Sequence, residues 1–144
     1  MFIASPNGLD EIREAFRDTL REFNDADIHR RTAVFTPVGW ELTLGGYKRP
    51  QALINEDLEK CDYFVLVLWD RWGSPPDNEG KYTSGCEEEF HLAVDCAEDP
   101  NRPMEDLIVF FKEVDEKASS GMFRQFFIER DKGPIHPDGR RCPP

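Results

Sequence analysis

The sequence has no long apolar run and no recognisable targeting signal. Its longest uninterrupted apolar stretch covers only seven residues, 63–69, whereas a transmembrane helix needs about 20. The N-terminus has neither a basic flank nor an extended apolar segment, so no signal peptide is predicted. We therefore expect a cytoplasmic protein that does not insert into a membrane.

Cysteine and histidine are too few and too scattered for a structural metal site. The four cysteines, Cys61, Cys86, Cys96 and Cys142, form no C-x-x-C pair, and the three histidines are equally dispersed. Zinc sites bring such residues together at short, regular spacings. We therefore predict no metal and no other cofactor, with free thiols in a reducing compartment. Cys61 and Cys86 are expected to be small core residues.

Positive charge is scarce, and most of the negative charge is concentrated in one part of the chain. The 144 residues include 29 acids against 18 bases, for a net charge of −11, and residues 77–116 alone hold 13 acids and 3 bases. Such a surface repels phosphate backbones and anionic lipids. Neither a nucleic acid nor a membrane is therefore expected as a partner.

The sequence does contain a regular alternation of short apolar runs and amphipathic segments. Strands are predicted at 1–4, 31–35, 62–69 and 106–111, and helices at 9–23, 51–60, 84–97 and 122–130. The run at 62–69 is apolar on both faces, which is typical of a central parallel strand covered by helices. The order predicts an α/β fold, a flavodoxin-like three-layer sandwich with a mostly parallel sheet of four to five strands. This domain spans 1–132, and an irregular proline-rich tail follows at 133–144.

Sheets of this kind bind ligands at the carboxyl ends of their strands, near the topological switch point. That rule selects the loops at 5–8, 36–50 and 69–84. The Walker A, G-x-G-x-x-G and G-x-S-x-G motifs are all absent, so the common phosphate-binding loops and the serine-hydrolase elbow are not predicted. The best candidate segment is YTSGCEEEFHLA at 82–93.

One of the three consecutive glutamates in this segment is expected to face inward. Glu89 lies three residues after Cys86 and four before Ala93, so these residues share one helical face beside the core. A carboxylate held there could stabilise an oxocarbenium ion or bind ribose hydroxyls. For Glu87 and Glu88 a simpler interpretation is also open: both carboxylates are solvated and interact favourably with the positive end of the helix dipole.

The same segment resembles part of a known family. Ser84-x-Cys86-x-x-Glu89-Phe90 is similar to the S-x-C-x-x-E segment of TIR domains, and more closely to the TIR-like domain at the N-terminus of NACHT-type and related STAND NTPases. The resemblance covers roughly residues 1–115 and rests on the order of several short motifs. They are Ile3-Ala4-Ser5, the acid-rich helix start at 10–13, Glu41, the strand at 62–69, Arg71-Trp72-Gly73 and Glu89-Phe90-x-x-Ala93.

The resemblance implies a TIR-like domain over 1–132 and two alternative functions. As an enzyme it would hydrolyse the nicotinamide N-glycosidic bond of NAD, with Glu89 as the catalytic residue and NAD or a related nucleotide as substrate. As an interaction module it would act by self-association or through adjoining domains of a longer protein. Family members of both kinds serve in immune and antiviral defence. A weaker resemblance, to nucleoside deoxyribosyltransferases, makes Glu89 the nucleophile on the same type of bond.

The loop after the predicted central strand supplies further candidate substrate-binding residues. Trp69 and Trp72 flank Asp70 and Arg71, and their rings could stack on nicotinamide or adenine. Equally, they could pack the loop onto the sheet. Arg71 could bind a pyrophosphate in a bidentate manner, or form a structural salt bridge with Asp70 or Glu41.

Three more candidates lie at other predicted strand and helix ends. Ser5 follows the first strand and could contact a ribose or phosphate, although a serine there is often part of a turn. Glu41, beside Trp40, either anchors its loop or forms part of the pocket rim. Ser84 opens an S-x-x-E capping box with Glu87, which predicts a helix start at this position.

Overall fold

The computed structural model describes residues 1–26, 32–42, 50–77 and 80–113. They form a parallel sheet of three strands, β1 (Phe2–Ala4), β2 (Tyr63–Leu68) and β3 (Asp106–Phe111), in the order β1-β2-β3. The predicted α/β fold with a parallel sheet is thus confirmed, and β2 is its central strand. The helix predicted at 122–130 and the tail at 133–144 lie outside the described residues.

Three helices of the described ranges accompany the sheet, and each was predicted to within a few residues. They are α1 (Asp10–Ala26), α2 (Pro50–Leu58) and α3 (Gly85–Glu98). A short 3₁₀ turn, Trp40–Leu42, lies in the stretch that was expected to be a loop. No helix within the described ranges is both long and apolar enough to cross a membrane.

The helices cover both faces of the sheet, which explains why β2 is apolar along its whole length. On one face, Ile3, Val65 and Val67 pack with Leu9 and with residues of α1. The opposite face packs against α2 and α3. Its buried residues are Phe2, Ala4, Leu58, Cys61, Phe64, Leu66, Leu68, Cys86, Ala93, Cys96 and Met104. Successive β2 side chains alternate between these two cores, so apolar residues occupy both faces of the strand.

The strand predicted at 31–35 is wrong where it can be checked, since none of residues 32–35 belongs to a strand. The Asn24 side chain of α1 takes both backbone groups of Phe35. Its Nδ2 donates to the Phe35 carbonyl at 2.8 Å, and its Oδ1 accepts from the Phe35 N–H at 2.9 Å. The amide side chain thereby takes the hydrogen bonds that a neighbouring strand would make. Pro37, two residues later, has no backbone N–H to donate to a neighbouring strand.

The chain instead reaches the sheet edge a few residues later, at Val38. Val38 forms a single parallel bridge with Phe2 on the outer side of β1. Its N–H donates to the Met1 carbonyl at 2.8 Å, and its carbonyl accepts from the Ile3 N–H at 2.9 Å. This segment therefore occupies the position beside β1 that the second strand has in a flavodoxin-like order, but it pairs over only one residue.

Candidate functional site

A cavity of about 210 Å³ lies at the carboxyl edge of the sheet. The loop after β1 leads to α1 on one face, while the loop after β2 leads to α3 on the other, which makes this edge the topological switch point. The lining residues come from both loops, the 3₁₀ turn, α2 and the start of α3. They are Ser5, Pro6, Asn7, Trp40, Gln51, Ile54, Gly73, Ser74, Gly85, Cys86 and Glu89.

The Glu89 carboxylate is buried in the wall of this cavity. As its spacing predicted, Glu89 shares a buried face of α3 with Cys86 and Ala93, and its relative exposure is only 6%. Within the described part of the chain, its one hydrogen bond comes from Gln51 Nε2, at 2.9 Å from Oε1. Burial, together with the nearby Glu88 carboxylate, raises the Glu89 pKa from 4.5 to about 7, although the Gln51 hydrogen bond opposes this shift.

The neighbouring carboxylate, Glu88, is also buried, at 8% exposure, so the alternative of a solvated side chain is wrong for this residue. Asn55 Nδ2 of α2 donates to Glu88 Oε1 at 2.7 Å, and Gln51 Nε2 donates to Asn55 Oδ1 at 3.2 Å. Two amides of α2 therefore contact two carboxylates of α3. Buried polar groups are tolerated when they are hydrogen-bonded in this way.

Ser5 lies on the other side of the cavity, immediately after β1. It is 6% exposed, and its Oγ accepts a hydrogen bond from Arg13 Nη1 at 2.7 Å. Because the guanidinium can only donate, the Ser5 oxygen acts as acceptor in this contact. The hydroxyl hydrogen is therefore left to donate elsewhere, and the cavity is next to it.

Arg13 itself is the largest fully buried side chain of the described residues, with 1% exposure. Its Nη2 donates to Asp10 Oδ1 at 2.6 Å, its Nε forms an ion pair with Glu41 Oε1, and its guanidinium carbon lies 5.5 Å from the centre of the Trp40 ring. Glu41, a candidate for the rim of the site, is thus an ion-pair partner of Arg13 and does not line the cavity. Arg13 ties Ser5, α1 and the 3₁₀ turn together.

The two tryptophans of the loop after β2 do not line the cavity. Trp72 is 7% exposed, and its Nε1 donates to Thr83 Oγ1 at 2.6 Å. Trp69 packs beside the α1-side core, and its ring lies 5.3 Å from the Arg71 guanidinium carbon and 5.1 Å from Lys112 Nζ. The Trp69 ring packs against the sheet and Trp72 ties the start of the loop to Thr83 at its end, and Gly73 and Ser74 are the loop residues that reach the cavity.

Asp70 and Arg71 form a weak pair with each other and likewise do not line the cavity. Arg71 Nε lies 3.8 Å from Asp70 Oδ1, and the Arg71 side chain is 62% exposed. An ion pair at this distance with one exposed partner contributes little to stability. The guanidinium lies close to the loop after β1, because a Cβ placed on Gly8 would be 3.8 Å from Arg71 Nη1.

Ser84 is the N-cap of α3, as its capping box predicted. Its Oγ accepts from the Glu87 N–H at 3.1 Å, and the residue is fully buried. The Glu87 carboxylate reaches Thr83 rather than Ser84, and accepts from both its N–H and its hydroxyl at 2.7 Å. The structure therefore places Ser84 in a helix cap, outside the cavity lining, where it fixes the start of the helix that carries Glu89.

Cys86 is the one cavity residue with a thiol, and its environment makes the thiol unreactive. Burial, and then the Glu89 carboxylate, raise its pKa far above the ordinary value. A thiol that stays protonated is a poor nucleophile and a poor metal ligand. Among the described residues, no group of three or more His, Cys, Asp or Glu side chains is arranged to hold a metal ion.

Sequence reasoning missed Arg13, Gln51 and Asn55, although a signal was present for two of them. Arg13 occupies an apolar-face position of α1, four residues after Leu9, and Gln51 lies seven residues before the fully buried Leu58. A polar residue at an apolar position of a helix indicates a buried polar contact. The partner of such a residue cannot be read from the spacing.

Comparison with known proteins gives a family but not an activity. The family model described as "Domain of unknown function (DUF4062)" matches residues 1–131. No curated protein and no solved structure matches the chain significantly. The family match extends over the whole of the described fold, including both walls of the cavity. The chain therefore belongs to the DUF4062 family.

Proposed function

We propose that this protein is a TIR-like effector domain that hydrolyses the nicotinamide N-glycosidic bond of NAD or a related nucleotide. The observation that carries the proposal is the buried Glu89 carboxylate, which lines a cavity at the switch point of a parallel sheet. Buried carboxylates with perturbed pKa values in a cleft are typical of functional sites. The TIR resemblance supplies the substrate class.

In this proposal the bond between the ribose anomeric carbon and the nicotinamide nitrogen breaks, and water adds to the anomeric carbon. Nicotinamide leaves with the bonding electrons and becomes neutral, so positive charge moves onto the ribose. The ionised Glu89 carboxylate stabilises that charge, and its low exposure strengthens the interaction. The Ser5 hydroxyl, whose oxygen accepts from Arg13, donates to the ligand. The water proton is released to solvent.

We expect nicotinamide release to increase with pH through about 7. The Glu89 pKa is raised to about 7 by burial, and only the ionised carboxylate stabilises the developing cation. Turnover at pH 6 should therefore be about one tenth of the plateau value above pH 8. The measurement is chromatographic quantification of nicotinamide between pH 5 and 9, at low and high protein concentration and with a crowding agent.

The same assay distinguishes the related chemistry. Incubation with purine and pyrimidine 2′-deoxynucleosides tests the deoxyribosyltransferase-like alternative, in which Glu89 attacks the anomeric carbon. Release of free base from deoxynucleosides, without any loss of NAD, would replace the NAD proposal with that alternative. Failure to cleave either substrate class at any protein concentration would contradict the enzymatic proposal as a whole.

A second candidate function, a non-catalytic assembly module, is favoured by a different surface. Phe110 and Ile108 of β3 are 55% and 36% exposed, and Phe110 lines an apolar groove formed with α1, β1 and β2. Exposed apolar side chains grouped in this way are typical of interaction surfaces. A sizing measurement with and without salt and NAD tests this function, and a monomer under all conditions would contradict it.

We further infer that the complete sheet is flavodoxin-like, with four to five strands. The Val38 bridge occupies the position of a strand outside β1, and the helices are distributed as in the order 2-1-3-4-5, with α1 on one face and α2 and α3 on the other. We place the protein in the cytoplasm, where the free thiols of Cys61, Cys86 and Cys96 would stay reduced. The proposed role in defence is based only on the resemblance to TIR domains.

A further inference from the structure

We propose that Gln51 is a positioning residue for Glu89: its amide holds one carboxylate oxygen, favours the ionised carboxylate and leaves the other oxygen for the ligand. This inference rests on the proposed function, in which the ionised form of Glu89 is the active one. It assigns a role to α2, which contains none of the motifs of the TIR resemblance.

The contact between the two residues is short, buried and specific. Gln51 is 9% exposed and Glu89 is 6% exposed, and the Nε2 to Oε1 distance is 2.9 Å. The same nitrogen donates to Asn55 Oδ1 at 3.2 Å. Both amide hydrogens of Gln51 therefore have acceptors, which fixes the orientation of the side chain. Within the described residues, no other group hydrogen-bonds the Glu89 carboxylate.

The backbone of α3 is shaped to admit the Gln51 amide. Gly85 is the first residue of the helix, and a Cβ placed there would lie 2.9 Å from Gln51 Oε1. Any side chain at this position would force the amide to shift. Because Gly85 is not in a left-handed backbone conformation, close approach rather than backbone geometry accounts for the absence of a side chain.

The charges around Glu89 come from three elements. On α3, Glu88 raises its pKa, while the Cys86 thiol is protonated and neutral. From α1, the Arg13 guanidinium is close enough to act on Cys86, but it is paired with Asp10 and Glu41. The α2 group that contacts the carboxylate is a neutral amide. The Gln51 hydrogen bond is therefore the main local interaction that favours ionisation of Glu89.

Loss of this hydrogen bond should raise the Glu89 pKa by about one unit, which corresponds to the strength of a typical hydrogen bond to a charged group. The midpoint of the pH–activity profile should move upward by the same amount. At pH 7 turnover would fall about fivefold, and it would recover above pH 9. Recovery at high pH is a signature that simple damage to the fold would not produce.

The experiment measures the Glu89 carboxyl titration by ¹³C NMR, alongside nicotinamide release, in the full chain. Two variants break the contact independently: Gln51→Leu removes the donor, and Gly85→Ala displaces it. Both are expected to shift the Glu89 titration upward. The control is Asp57→Asn on the same helix, because the Asp57 carboxylate pairs with Lys60 and does not line the cavity; it should produce a clearly smaller shift. Circular dichroism checks that each variant is folded.

The outcomes separate this inference from the proposed function. An unchanged Glu89 titration in both folded variants, or an equally large shift in Asp57→Asn, would overturn the role of Gln51 even if the protein consumes NAD. If the titration shifts as expected but no variant or wild-type protein releases nicotinamide, the proposed function fails while the Gln51–Glu89 coupling stands. An upward shift of both the titration and the activity profile would support both.

Discussion

Replacing Glu89 by glutamine is expected to abolish NAD turnover and, at the same time, to make the protein more stable at pH 8 than the wild type. Loss of a charge that stabilises the transition state lowers turnover by at least a hundredfold. Glutamine has nearly the same shape as glutamate, and its carbonyl can still accept the hydrogen bond from Gln51. The fold should therefore persist, and the activity assay reports on the chemistry.

The gain in stability follows from the direction of the pKa shift. The folded protein holds a proton on Glu89 up to pH about 7, whereas the ordinary pKa of a free glutamate side chain is 4.5. The contribution of Glu89 to the free energy of unfolding is therefore most favourable below pH 4.5. It decreases as the pH rises from 4.5 to about 7, because over that range only the folded protein keeps the proton. The loss amounts to about 3 kcal/mol at most, and the Glu89→Gln variant avoids it.

Urea unfolding of both proteins at pH 5 and pH 8 measures this difference. Glu98→Gln is the matched control, because Glu98 is an exposed carboxylate at the other end of the same helix. It should change neither turnover nor the pH dependence of stability. Equal NAD turnover by the wild type and Glu89→Gln would remove the catalytic assignment. A Glu89→Gln variant that is destabilised equally at both pH values would contradict the raised pKa.

Replacing Arg13 by methionine is expected to destabilise the protein by about 2 kcal/mol. The guanidinium is 1% exposed and contacts Ser5, Asp10 and Glu41. The variant leaves the buried Ser5 hydroxyl and the partly exposed Glu41 carboxylate without their partner, whereas the Asp10 side chain is 83% exposed and can be solvated. Leaving a buried polar group unsatisfied costs about 1–3 kcal/mol. Methionine keeps most of the length of the side chain, so the loss reports on the polar contacts rather than on a large cavity.

The matched control for this variant is Arg17→Met, one turn later on the same helix. Arg17 is 31% exposed, and its Nη1 lies 3.9 Å from Glu41 Oε2, so we expect a loss below about 1 kcal/mol. Arg13→Lys keeps the charge but cannot form the same fork of hydrogen bonds, and it should fall between the two. Equal stability of Arg13→Met and Arg17→Met in thermal and urea unfolding would show that the buried network contributes nothing.

The two substitutions test opposite walls of one cavity. Arg13 supports the wall that contains Ser5 and Trp40, while Gln51 and Glu89 belong to the wall formed by α2 and α3. The first wall is held by a buried cation, and the second contains a buried carboxylate. A ligand that fills the space between them meets a hydroxyl donor on one side and a carboxylate acceptor on the other, which is suited to a sugar hydroxyl group.

Several elements could be predicted because their signals are local. The run at β2 is apolar without interruption since both of its faces are buried, and α3 begins where Ser84 caps it. The strand expected at 31–35 failed because the outcome depended on a partner. The Asn24 amide, 11 residues away, takes the backbone groups of Phe35, and no pattern within the segment indicates this.

The candidate site shows the same division. The inward orientation of Glu89 follows from helical spacing alone, because residues three and four apart share one face. Its raised pKa does not follow, since that depends on how deeply the helix packs and on Glu88 being buried too. Trp69 and Trp72 were candidate substrate-binding residues only because they lie in the loop after the central strand, and the structure places their rings outside the cavity lining.

By itself, the amino-acid sequence predicted the three strands β1, β2 and β3, the helices α1, α2 and α3, the central position of β2 and the buried face of α3, because the signal for each lies within its own segment. The tertiary structure alone decided which polar groups meet: Gln51 with Glu89, 38 positions apart, and Arg13 with Ser5 and Glu41. Such contacts form only after the sheet has brought distant loops to one edge, and their hydrogen bonds depend on distances that periodicity does not encode.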